Sequence, residues 1–180
     1  MLVRSLLAGL LALTFAPTSF AQDWQPLFDG KTLEGWDGDP KLWSVEDGVI
    51  TGRTSKEDPL KANSFLIYRG DHFDNFELEL EYKIVGGNSG IQYRSFELDR
   101  PWGIGGYQAD FEAGKTYSGI LYGERFRGIL AKRGESKELT NKDGKMVSTL
   151  VEKIGDTDEI QKQIKNEAVS YTHLTLPTKA

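Results

Sequence analysis

Asp110 and Glu112 lie two residues apart in a strand-like run, and Gln108 precedes them at the same spacing. Side chains at every second position of a β-strand share a face, which puts the Cα atoms of the two acids roughly 6–7 Å apart. Two carboxylates at this distance can divide the roles of acid and base when their environments separate their pKa values. The alternative is a hydrated outer strand face, and the spacing alone slightly favours that alternative.

A second polar row, formed by Asn88, Gln92 and Arg94, comes earlier in the chain at even spacing. Arg94 can clamp a carboxylate or hold a sugar hydroxyl, because its guanidinium offers planar paired donors. It can equally form a structural ion pair with one of the two acids, which is the commoner fate of such pairs. On the preceding strand-like run, Glu81 lies nearest to Asn88, so Glu81 is a further candidate for ligand binding.

Flat aromatic side chains occur close to both rows. Tyr107, Tyr122 and Trp102 offer ring faces of the kind that stack on sugars. Trp102 belongs to a glycine-flanked loop, which predicts a position at the rim of a site. Core packing is the more common role of any single tryptophan. Together with Gln92 and Gln108, these aromatic residues are our candidates for substrate binding.

Residue counts exclude several kinds of site. The sequence has no cysteine, and His72 is the only histidine before residue 169. Thiolate metal sites, disulfides and multi-histidine zinc sites are therefore excluded. There is no Gly-x-Ser-x-Gly elbow and no nucleotide-binding motif. No cofactor or metal is predicted, although acidic side chains and backbone carbonyls leave an oxygen-ligand calcium site open.

Residues 1–21 have the organisation of a secretory signal peptide. The apolar run 6–16 is too short to span a bilayer, and Ser19 and Ala21 supply small residues for cleavage before Gln22. We expect a periplasmic or secreted protein without a stable membrane span after cleavage. The formal net charge is −5 and no basic run occurs, so nucleic acid is a poor partner, whereas a sugar is compatible.

Residues 169–180 do not continue the pattern that precedes them. They resemble translated adapter DNA, which recurs at the ends of unrelated proteins predicted from shotgun assemblies, and we interpret them as such an artefact. The natural protein is then expected to be longer than this sequence. The alternative is a short terminal strand, since residues 171–176 alternate acceptably.

Short alternating runs separated by turns predict an all-β, antiparallel sandwich. Asp47-Gly48 between two apolar runs predicts a hairpin, and the strict alternation over 76–84 predicts a half-buried strand. Residues 134–145 are predicted to form a charged loop. Asp156 and the residues after it predict the cap of a short C-terminal helix over 159–168.

Several short motifs, each weak alone, together resemble the 3-keto-disaccharide hydrolase domain family over residues 22–168. They are Leu27–Trp36, Trp43–Ile50, Asp74–Leu78, Gly87–Ile91, Gly106–Gln108 and Leu121–Gly123. The resemblance implies an antiparallel jelly-roll β-sandwich of the concanavalin A-like lectin/glucanase type, common in exported bacterial proteins. Family members continue through further strands that close the sandwich, so the sandwich of this chain is expected to be incomplete and the truncated chain inactive.

The resemblance also implies a reaction, the cleavage of 3-keto-disaccharides or other 3-keto-glycosides. The C3 ketone acidifies the hydrogen on C2, a base removes that proton, the group at C1 is eliminated, and water adds. Asp110 or Glu112 is assigned as the base or acid. Arg94, Asn88 and Tyr122 are assigned as donors. The strand that carries the acids departs from the family's Tyr-Glu-Val-Gln-Ile-like sequence, so the choice between them stays open.

Two other functions are compatible with the same fold. A carbohydrate-binding module would bind sugar on a shallow aromatic platform, whereas an enzyme needs a deep pocket with convergent acids and donors. An interaction domain of a larger exported assembly would have no affinity for sugars. We prefer the hydrolase and keep the binding module as the alternative.

Overall fold

A computed structural model describes residues 24–164 and the backbone of residues 170–176. Except for one short helix, α1 (Thr157–Gln163), the described elements are strands. They are β1 (Trp36–Asp37), β2 (Trp43–Glu46), β3 (Val49–Gly52), β4 (Ile67–Tyr68), β5 (Phe76–Tyr82), β6 (Asn88–Glu97), β7 (Ile104–Glu112), β8 (Leu121–Glu124), β9 (Gly128–Ala131), β10 (Glu135–Lys142), β11 (Lys145–Lys153) and β12 (Ser170–Leu176). The predicted signal peptide, residues 1–21, lies outside the described residues.

All described strand pairs are antiparallel, which confirms the predicted all-β class. The largest sheet has the order β6-β7-β8-β9, and the other strands form two-stranded sheets. The ring of Tyr82 on β5 stacks on that of Phe111 on β7, with 4.0 Å between the ring centroids. Strand β5 therefore packs against the large sheet. The jelly-roll order itself stays a prediction.

Two hairpins follow from Asp-Gly turns. In the β2–β3 hairpin, Asp47 and Gly48 have φ angles of 51° and 78°, a combination that suits a two-residue turn between twisted strands. This hairpin confirms the prediction. Asp143 and Gly144 repeat the geometry, with φ angles of 52° and 78°, between β10 and β11. The predicted charged loop over 134–145 is therefore wrong, because the Asp-Gly turn pairs its charged flanks as strands.

The end of the described chain contains a helix and a strand. The Asp156 side chain caps α1 by accepting hydrogen bonds from the backbone N–H groups of Asp158 and Glu159, as predicted. The helix itself begins two residues earlier than expected and ends at Gln163. Strand β12 pairs with β5 along its whole length. This pairing does not test the origin of residues 169–180, which stays a prediction.

Candidate active site

The polar side chains of β7 lie on a buried face of the large sheet. Gln108, Asp110 and Glu112 are only 6%, 7% and 8% exposed. The alternation of the strand puts Tyr107 and Phe111 on the opposite face, where both are half-buried. The alternative of a hydrated outer face for the two acids is therefore wrong. Burying carboxylates is costly without partners, which makes their contacts informative.

A relay of amides leads across the sheet to Asp110. The Gln92 amide donates to the Gln108 carbonyl oxygen, and the Gln108 amide donates to Asp110 Oδ1. Gly90 makes room for this relay, since a Cβ at that position would lie 2.6 Å from Cγ of Gln108. The predicted residues Gln92 and Gln108 are thus brought together with Asp110, and they orient its carboxyl group.

Electrostatics separate Asp110 from an ordinary surface acid. Burial raises the pKa of Asp110, and the nearby charges of Glu124 and Glu112 raise it further, although the Gln108 hydrogen bond opposes them. Burial and the charges of Glu124 and Asp110 also raise the pKa of Tyr122. Asp110 therefore keeps its proton to a higher pH than usual, and Tyr122 remains a hydrogen-bond donor.

Glu124 shares this sheet face, and the sequence-based candidates did not include it. It pairs in register with Gly106, next to the Gln108–Tyr122 pair, and is 4% exposed. Its Oε2 accepts a 3.2 Å hydrogen bond from Asn63 Nδ2, and its Oε1 lies 3.5 Å from Arg125 Nε. Extending the period-two pattern by one step from Tyr122 would have found it.

Tyr122 and Glu124 line a cleft of about 530 Å³ between residues 60–63, in the loop before β4, and the turn between β8 and β9. The turn contributes Arg125 and Arg127 to its wall. The cleft size falls within the range of small-molecule sites, about 300–1,000 Å³. The face built by the amide relay, Asp110, Tyr122 and Glu124 is the candidate active site.

Glu112, the second predicted catalytic acid, has a structural role. Its Oε1 accepts hydrogen bonds from the backbone N–H groups of Thr116 and Tyr117. Its own backbone N–H donates to Ser118 Oγ at 2.9 Å. These bonds fold the connection between β7 and β8 back onto the strand. Glu112 is therefore occupied in holding this loop.

Arg94 does not lie beside the acids. The register of β6 and β7 shifts between Tyr93 and Phe96, and Arg94 has a φ of 47° within this irregularity. Its exposed side chain donates to the backbone oxygen of Asp74 at 3.3 Å. The bulge breaks the even spacing that had put Arg94 on the row of Asn88 and Gln92. The predicted clamp on Asp110 or Glu112 is therefore not formed.

The remaining predicted binding residues do not line the cleft. Glu81 and Asn88 are both exposed and do not line it. Tyr107 lies on the opposite sheet face, and its hydroxyl accepts a 2.6 Å hydrogen bond from Arg127. Trp102 Nε1 donates to Asp37 Oδ1 at 2.7 Å, which ties the indole to β1. Of the predicted binding residues, Tyr122 alone lines the cleft. Gln92 and Gln108 lie behind the cleft wall, where their hydrogen bonds orient Asp110.

Two negative findings concern the described part of the chain only. Within it, no group of three or more His, Asp or Glu side chains is placed to hold a metal ion. No helix there is long and apolar enough to cross a membrane.

Comparison with known proteins identifies the family. Residues 23–171 match the model of the 3-keto-alpha-glucoside-1,2-lyase-like domain. The chain belongs to this family. This match confirms the resemblance that the sequence motifs indicated.

A curated relative supports the same assignment. The 3-keto-disaccharide hydrolase of Bacteroides thetaiotaomicron is 41% identical over 86 residues. The match covers 43% of this chain and 29% of that protein, so the chain is similar to less than a third of its length. No solved structure matches the chain.

Proposed function

We propose that this protein cleaves 3-keto-glycosides, 3-keto-disaccharides in particular, by elimination at C1 followed by hydration. The observation that carries the proposal is the convergence of Asp110, Tyr122 and Glu124 on one sheet face beside a sugar-sized cleft. Family membership and the name of the relative support the substrate class. The pattern of residues 1–21 supports action outside the cytoplasm.

Glu124 acts as the base in this scheme. It lines the cleft directly, and Asn63 and Arg125 hold its two carboxylate oxygens. The carboxylate takes the proton from C2, and the electron pair of the C2–H bond passes into the C3 carbonyl to form an enolate. A fixed base in hydrogen-bond reach of the reacting carbon typically contributes about 10²–10⁴-fold to the rate.

Tyr122 and Asp110 complete the elimination. The Tyr122 hydroxyl donates a hydrogen bond to the enolate oxygen, where negative charge develops. Asp110 lies behind the cleft wall, so its proton, which the raised pKa retains to higher pH, passes through one water molecule to the departing oxygen as the C1–O bond breaks. The enolate collapses to a C1=C2 double bond conjugated with the C3 ketone. Water then adds across that bond, with its oxygen on C1 and a proton on C2.

The rates of single variants test this proposal. We expect the full-length protein to cleave 3-keto-maltose or 3-keto-cellobiose, and Glu124→Gln, Asp110→Asn and Tyr122→Phe each to lower kcat by about 10²–10⁴-fold. The exposed Glu138 of β10 offers a matched control, and Glu138→Gln should retain the wild-type rate. Wild-type rates in all three site variants would contradict the proposal. Sugar binding without any turnover would support a carbohydrate-binding module instead.

A further inference from the structure

The cleft beside Glu124 carries surplus positive charge, although the whole chain has a net charge of −5. Lys61, Arg125 and Arg127 line it, and Glu124 is the sole carboxylate among the lining residues. The Arg125–Glu124 contact balances one positive charge with that carboxylate. Within the described part of the chain, Lys61 and Arg127 form no ion pair. Two cations thus remain for a ligand in the cleft.

Arg127 is held in place before any ligand arrives. Its guanidinium carbon lies 4.1 Å from the centre of the Phe126 ring, and Nη1 donates a 2.6 Å hydrogen bond to the Tyr107 hydroxyl. Its backbone N–H donates to the oxygen of Gly123 at 3.2 Å. A guanidinium has five N–H donors. Among the described residues, only the Tyr107 hydroxyl accepts a hydrogen bond from the Arg127 guanidinium, so its other donors remain for a ligand. The fixed side chain loses little further conformational entropy on binding.

We propose that the cleft selects glycosides that carry an anionic group, a carboxylate or a sulfate ester, held by Arg127 and Lys61. A planar guanidinium fits the paired oxygens of either group, and the Lys61 ammonium adds a second positive charge. Glu124 does not repel such a ligand strongly, because Arg125 neutralises it. This substrate class rests on the proposed function, since it concerns the same cleft.

Calorimetric titration of the full chain with three unreactive disaccharides tests the inference. The ligands are cellobiose, its uronic acid analogue and its 6-O-sulfate. We expect at least one anionic disaccharide to bind about tenfold more tightly than cellobiose at low salt, a preference that weakens as ionic strength rises. The stronger of the two anionic ligands identifies the group that the cleft takes.

Variants assign the preference to particular side chains. Arg127→Gln and Lys61→Gln should each reduce binding of the anionic ligand several-fold more than they reduce binding of cellobiose. Arg127→Lys should recover part of the loss, because it restores charge without the planar donors. Lys41→Gln, an exposed change outside the cleft lining, should change nothing. If Arg127→Gln does not fold, as judged by circular dichroism, Lys61→Gln supplies the same comparison.

The outcomes separate this inference from the proposed function. Equal affinity for neutral and anionic disaccharides overturns the inference, even if 3-keto-disaccharides are cleaved. An anionic preference that disappears in Arg127→Gln supports the inference, even if no 3-keto-disaccharide is cleaved. The absence of binding to all three ligands overturns the inference, whereas the cleavage assay decides the proposed function.

Discussion

Asn63 donates a 3.2 Å hydrogen bond to Glu124 across 61 positions of the chain. This bond joins the loop on one side of the cleft to strand β8 on the other. Arg125 approaches the second oxygen of the same carboxylate at 3.5 Å. Glu124 is thereby fixed in direction, and a base acts efficiently only when its reactive oxygen is held near the proton that it removes.

Removal of the Asn63 amide should therefore impair catalysis more than folding. We expect Asn63→Ala to lower kcat roughly tenfold, because the Glu124 carboxylate loses the hydrogen bond that the neutral Asn63 amide donates to it. Initial rates with a 3-keto-disaccharide measure the effect. The exposed Asn141 of β10 supplies the control, and Asn141→Ala should leave kcat unchanged. An Asn63→Ala variant with full activity would show that the Asn63–Glu124 bond does not orient the base.

Glu112 should behave as a structural residue. Glu112→Ala removes the acceptor for the Thr116 and Tyr117 N–H groups, and we expect the free energy of unfolding to fall by about 1–3 kcal/mol. Glu112→Gln keeps an oxygen acceptor and should retain most of the stability and the cleavage rate. Denaturant unfolding and rate measurements test both variants. A Glu112→Gln variant that is stable but inactive would show that Glu112 is a catalytic residue, as the sequence predicted.

Asp110 should make stability depend on pH. Its folded pKa is raised above the ordinary 3.8, so between these two values the folded protein holds a proton that the unfolded chain has released. Stability therefore falls as pH rises through that window, and the cost remains above it. Asp110→Asn removes the titration and keeps the acceptor for Gln108. We expect its melting temperature, relative to wild type, to be higher at pH 7 than at pH 3. A constant or reversed difference would contradict this assignment.

Trp102 should contribute to stability and not to sugar binding. Trp102→Phe deletes the N–H that donates to Asp37 Oδ1, and we expect a loss of about 0.5–1.5 kcal/mol in the free energy of unfolding. The KM for a 3-keto-disaccharide should be unchanged, because Trp102 does not line the cleft. A clear rise in KM at unchanged stability would support the predicted rim position.

Local patterns predicted much of the fold. The Asp47-Gly48 turn specified its hairpin, and the alternation over 76–84 specified β5, because both depend only on neighbours in sequence. The same turn rule applied to Asp143-Gly144 would have replaced the charged loop by the β10–β11 hairpin. The spacing of Gln108 and Asp110 correctly put them on one face. It could not show that this face is buried, since burial depends on packing.

Long-range structure decided the rest of the site. A bulge in β6 displaced Arg94, and an even spacing in sequence does not reveal a bulge. The partners of Glu112 lie in the following loop, and those of Trp102 lie on a strand far back in the chain. The period-two pattern could have pointed to Glu124, but its partner Asn63 lies 61 positions earlier in the chain and is not revealed by local spacing.

Deuterium exchange at C2 of a 3-keto-disaccharide in D₂O reports removal of the C2 proton by Glu124 separately from cleavage. The wild type should exchange and cleave the substrate, Asp110→Asn should exchange but cleave about 10²–10⁴-fold more slowly, and Glu124→Gln should do neither. Exchange of the C2 hydrogen at the wild-type rate by Glu124→Gln would show that Glu124 is not the base.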